Sequence, residues 1–73
     1  MEGTPPTINE EQIENLKTTI LQDGTTAYDY VMTWPEADQP WALVGVLSCI
    51  KKGYSLNRLT INWEARDLRY GKS

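Results

Sequence analysis

The sequence predicts an all-α fold, a small bundle of three to four short helices, on three observations. A reciprocal capping signal opens at Asn9, apolar residues recur at three- and four-residue spacing, and prolines and glycines stand where helices would begin and end. An α+β fold with a short C-terminal strand is the alternative, because Leu59, Ile61 and Trp63 also alternate with Thr60, Asn62 and Glu64.

Residues 1–7, with two prolines, a glycine and two threonines, have no periodic apolar face and are expected to form a flexible arm before a single domain over 8–73. In Asn9-Glu10-Glu11-Gln12, Asn9 accepts from the Gln12 amide while the Gln12 side chain reaches back, and Ile8 is placed to staple onto Ile13. Ile13, Leu16, Ile20 and Leu21 continue at helical spacing and Gly24 follows as a C-cap, so a helix is expected over Glu10–Asp23. Its first-turn glutamates complement the helix dipole, which explains them without a catalytic role. Residues 26–34 fit either period; Thr26 and Asp29 resemble a helix start, and a short helix ending before Pro35 is expected.

Glu36 to Gln39 reads as a turn, and Pro40 suits the first turn of the next helix. Trp41 to Ile50 is apolar on nearly every face, which predicts a central buried helix closed by Lys51, Lys52 and Gly53. In the last segment Ser55 is the expected cap. Leu56, Leu59, Trp63 and Tyr70 fall within an arc of about 60° on a helix, and Arg58, Asn62, Arg66 and Arg69 form a neighbouring stripe.

A chain of 73 residues holds one core, and one this small is commonly reinforced by a disulfide, a metal or a partner. Cys49 is the only cysteine and there is no histidine, so neither disulfide nor metal is expected, and association with a protein or a second copy remains. Cys49 lies within the apolar run and reads as a small buried hydrophobe. Without a histidine base or an activated thiol, no catalytic, cofactor or metal site is expected and the chain is read as a non-enzyme. The polar N-terminus carries no signal-peptide pattern, and no apolar run approaches the roughly 20 residues that span a bilayer, so a cytoplasmic protein is expected.

Two features bear on function. Residues 1–49 carry one lysine against eight acids, whereas residues 50–73 carry six cations against two acids, a charge split that favours head-to-tail association unless folding brings the halves together. All seven aromatics are Trp or Tyr, the types enriched at interfaces. The expected function is a protein-binding regulator or inhibitor that occupies a partner's surface through Arg58, Asn62, Arg66, Arg69, Trp63, Tyr70 and Trp34. In style such a small, acidic, cofactor-free chain resembles phage or mobile-element accessory proteins.

Cys49 to Leu59 also resembles the helix-turn-helix of small phage and bacterial regulators, with small Cys49, Gly53 in the turn, and apolar Tyr54 and Leu59. It departs from that pattern at Ser48, Lys52 and Asn62, where apolar residues are usual. The resemblance implies DNA binding, with the arginine stripe in the major groove. The acidic first half opposes this alternative, since phosphate neutralisation supplies most nucleic-acid affinity.

Overall fold

The computed structural model describes residues 7–71. Four helices and no strand occur among them: α1 (Glu10–Thr18), α2 (Ala27–Met32), α3 (Gln39–Lys52) and α4 (Arg58–Tyr70), with a 3-10 turn over Glu36–Asp38 leading into α3. The all-α expectation holds, and the alternative C-terminal strand is helix instead. The expected N-terminal arm, apart from Thr7, lies outside the described residues.

The start of α1 follows from its capping box: the Gln12 amide donates to Asn9 Oδ1 at 2.9 Å and the Asn9 amide donates to Gln12 Oε1 at 3.1 Å. Its end does not follow the expected boundary at Asp23. The helix stops at Thr18, and Thr19 is extended. The cause is local chemistry. Thr18 and Thr19 both donate their hydroxyls to the Asn15 carbonyl, at 3.1 and 2.7 Å, and the β-branched run Thr18-Thr19-Ile20 favours extended backbone. The chain then makes a tight reversal: Ile20 bridges Thr26, Leu21 N–H donates to the Thr25 carbonyl at 2.7 Å, and Ala27 N–H donates to the Thr19 carbonyl at 2.8 Å. Gly24, with φ of +89°, serves this turn and does not cap α1. The reversal leaves Ile20 exposed while Leu21 is buried.

Thr26 caps α2 through the Asp29 amide, and α2 ends ahead of Pro35 as expected. Pro40 lies in the first turn of α3, and Gly53, in the left-handed region at φ +77°, closes it. The cap of α4 is Asn57, which accepts from the Thr60 amide at 2.8 Å, and not Ser55. Asn is at least as good a cap as Ser and stands two residues later, where the turn after Gly53 has been completed.

α3 is the central element. Ala42, Leu43, Val46 and Cys49 join Leu16, Leu21, Ala27, Tyr30, Val31 and Ile61 in one buried cluster. α3 and α4 form an antiparallel hairpin. A Cβ at Gly45 would lie 3.0 Å from the Ala65 Cβ, so the helices nearly touch there. One turn nearer the connection, Ser48 and Lys52 both reach Glu64. One turn farther, Trp41 shares a groove with Ala65 and Arg69. The pairing therefore runs along most of both helices.

Candidate functional site

The buried side of α4 is made by Ile61, Glu64 and Ala65. At 100° per residue these lie opposite Leu59, Trp63 and Tyr70. Of the apolar arc that helical spacing picks out, Leu56 precedes the helix and packs against the core, while the other three face outward: Leu59 is 73% exposed, Trp63 69% and Tyr70 52%. The physical reason is the close approach at Gly45, which demands a small residue, Ala65, on the facing side and leaves the bulky side chains to the other. Arg66 is also exposed and falls within the same arc, so the outer surface of α4 is a stripe of two aromatics, one leucine and one cation.

Beside the stripe a groove of about 150 Å³ opens between α4 and the segment joining α2 to α3. Its walls include Trp34, Asp38, Trp41, Asn62, Arg66, Arg69 and Tyr70. Folding therefore unites five of the seven residues expected to bind a partner: Trp34, Asn62, Arg66, Arg69 and Tyr70. Trp34 is steadied by an edge-to-face contact with Tyr30, at 6.0 Å between ring centres, and its carbonyl accepts from Gln39 Nε2 at 3.1 Å. Arg69 forms an ion pair with Asp38 across the groove and lies over the Tyr70 ring at 5.4 Å. Arg66 makes no ion pair among the described residues.

Arg58 is not part of this groove. Its Nε donates to Asp23 Oδ2 at 2.7 Å, its guanidinium also donates to the Thr25 hydroxyl at 3.3 Å, and it covers the Tyr30 ring at 5.2 Å. Tyr30 returns a hydrogen bond to the Arg58 carbonyl at 3.2 Å. Arg58 thus holds the 20–26 reversal against the start of α4. Trp63 lies outside the groove as well, on the exposed stripe. The charge halves of the sequence meet in the fold through Asp23–Arg58 and Asp38–Arg69, so part of the segregation is neutralised within one molecule.

A second polar group lies between α3 and α4. Glu64 is buried, and its Oε2 accepts from Ser48 Oγ at 2.5 Å and from Lys52 Nζ at 2.7 Å. The hydrogen bond to Glu64 raises the Lys52 pKa, and the half-exposed lysine carries the carboxylate's charge balance to the surface. Ser48 and Lys52 are two of the three positions at which the chain departs from the helix-turn-helix pattern, and their bonds to Glu64 give those two departures a physical reason, while the third, Asn62, lines the groove. Burial, followed by the negative charge of Glu64, pushes the Cys49 thiol up, so it stays protonated and behaves as core. No group of three His, Cys, Asp or Glu side chains suited to a metal occurs among the described residues, and no helix there is long and apolar enough to cross a membrane.

Asp38, Trp41 and Ala65 belong to the groove but do not stand out in the sequence, because each is brought there by packing between segments far apart in the chain. No protein-family model, curated protein or solved structure matches this chain.

Proposed function

We propose that this chain is a non-enzymatic protein-binding regulator or inhibitor that occupies a partner protein's surface with the outer side of α4. The observation that carries the reading is the pair Leu59 and Trp63, both more than two-thirds exposed one helical turn apart on a helix whose other side is packed. Large aromatic and aliphatic side chains held on a rigid helix lose little conformational freedom on docking, and tryptophan is among the residues that contribute most at interfaces. The adjoining groove supplies Arg66 and Arg69 as cationic rim and Trp34 and Tyr70 as aromatic walls.

Two features favour a protein over a DNA duplex as the ligand. Arg58 and Arg69 are already paired with carboxylates, which places Asp23 and Asp38 beside the basic stripe, where they would meet phosphates. α4 also packs lengthwise along α3, whereas the second helix of a helix-turn-helix crosses the first steeply and projects from it.

Affinity capture from a lysate, with nuclease treatment, tests the reading. The wild-type chain is expected to retain a defined protein after nuclease treatment, and Leu59→Ala with Trp63→Ala to lose it while keeping the helical circular dichroism of the parent. Retention by the double variant would move the interface elsewhere. Salt-sensitive, sequence-selective duplex binding by the wild type at about 50 mM salt would replace the reading with the DNA-binding one.

A further inference from the structure

The spacing and chemistry of the α4 stripe specify a partner more closely. Leu59, Trp63, Arg66 and Tyr70 lie within an arc of about 60°, separated by four, three and four residues. That spacing reads the same from either end. When two such helices are laid antiparallel, a two-fold axis passing midway between Trp63 and Arg66 sets Leu59 of one chain against Tyr70 of the other and Trp63 against Arg66, twice over.

We infer that the outer stripe of α4 binds a second copy of this chain in this antiparallel register. The inference rests on the reading of α4 as a protein-binding surface and names the occupant. Each opposed pair is chemically matched. Leucine packs on the tyrosine ring, and a guanidinium lies over an indole, the ring that attracts cations most strongly. The chain already uses arginine over an aromatic ring inside the fold, with Arg58 on Tyr30 at 5.2 Å and Arg69 beside Tyr70 at 5.4 Å. Arg66 is exposed and without an ion pair among the described residues, so it is available for the same contact. The parallel arrangement lacks this match, since it would oppose Arg66 to Arg66 and leave both indoles without a cation. An isologous two-fold interface also closes on itself and yields a dimer, not a filament. The stripe is one side chain wide and extends over about three helical turns, roughly 16 Å, so four side chains supply the contact where a standard interface uses about 20–30 residues a side. A weak dimer, with a micromolar to sub-millimolar Kd, is therefore expected.

Sedimentation equilibrium of the full chain from micromolar to millimolar concentration provides the test. The wild type is expected to approach twice the monomer mass. Trp63→Arg places a cation opposite Arg66 of the second copy and should weaken the dimer at least about tenfold. Adding Arg66→Glu to that variant places a carboxylate opposite the new guanidinium at both symmetric positions and should restore association. In a parallel dimer the same double change would oppose like charges at both positions and worsen it. Both positions are exposed, and circular dichroism checks that each variant keeps its helices. A wild type that stays monomeric throughout, a Trp63→Arg chain that dimerises undiminished, or a double variant that does not recover would each overturn the inference. Its failure is separable from that of the broader reading. A monomeric wild type that still captures a protein through Leu59 and Trp63 would defeat the second-copy inference alone, whereas rescued dimerisation with nothing captured would defeat the heterologous partner alone.

Discussion

Gly45 lies within the most apolar helix of the molecule, where alanine would ordinarily be preferred by about 1 kcal/mol. The structure gives the reason for glycine. A Cβ at this position would lie 3.0 Å from the Ala65 Cβ, 3.1 Å from its nitrogen and 3.2 Å from its Cα, and two of those three atoms are backbone that cannot rotate aside. Gly45→Ala should therefore lower stability by on the order of 1 kcal/mol, the overpacking cost exceeding the propensity gain. Urea melts of the two proteins check this, and an unchanged or higher midpoint would show that α4 can move away at little cost. The same closeness explains why a carboxylate is tolerated in the seam. With the helices this near, Ser48 and Lys52 both reach Glu64, so the buried charge is hydrogen-bonded and balanced. Without those partners Glu64 would be a strong liability in so small a core.

At the scale of the element, most caps are readable from sequence, Asn57 in place of Ser55 being the exception, whereas the end of α1 and the packed face of α4 are not. Caps are local: Asn9, Thr26 and Gly53 act through neighbours within a few residues, and all three were identifiable on chemistry alone. Asn9→Ala removes one side of a reciprocal pair and should cost about 0.5–2 kcal/mol. Denaturant melts indistinguishable from wild type would mean that α1 contributes nothing to the cooperative unit. The end of α1 was obscured because Ile20 and Leu21 continue a helical apolar spacing that tertiary structure uses as a reversal, with the Thr18 and Thr19 hydroxyls drawn back to Asn15. The orientation of α4 was obscured for a related reason. Its most apolar arc is not its packed one, because the hairpin with α3 is governed by side-chain size at Gly45 and Ala65, and spacing records polarity but not the width of the gap.

For the molecule as a whole, the sequence separates charges that the fold reunites in part, and the groove residues come together by the same means. That Trp34 would meet Arg66, Arg69 and Tyr70 could be guessed from residue type but not placed, since the approach depends on the turn before α3 and on the antiparallel return of α4. The Asp23–Arg58 link, which holds the 20–26 reversal against the start of α4, makes the fold sensitive to acid. The Asp23 carboxyl accepts the Thr25 amide at 2.9 Å and is bonded by Arg58, and these contacts, the Thr25 amide first, hold its pKa at about 2, against an ordinary value of 3.8. A carboxyl that ionises more readily in the folded chain than in the unfolded one stabilises the fold fully above the unfolded pKa. The contribution is lost as pH falls through the interval from 3.8 to about 2. The wild type should therefore lose thermal stability across that interval, and Asp23→Asn should start from a lower melting temperature at neutral pH and decline less steeply. Because the pair is exposed to water, high salt should weaken the Arg58 part of the effect and leave the Thr25 hydrogen bond largely in place. Thermal melts at a series of pH values, at low and high salt, read both. An Asp23→Asn profile parallel to the wild type through that interval would show that the reversal is held against α4 by Leu21 and the backbone bond from Gln22 to Leu56, and not by this carboxylate.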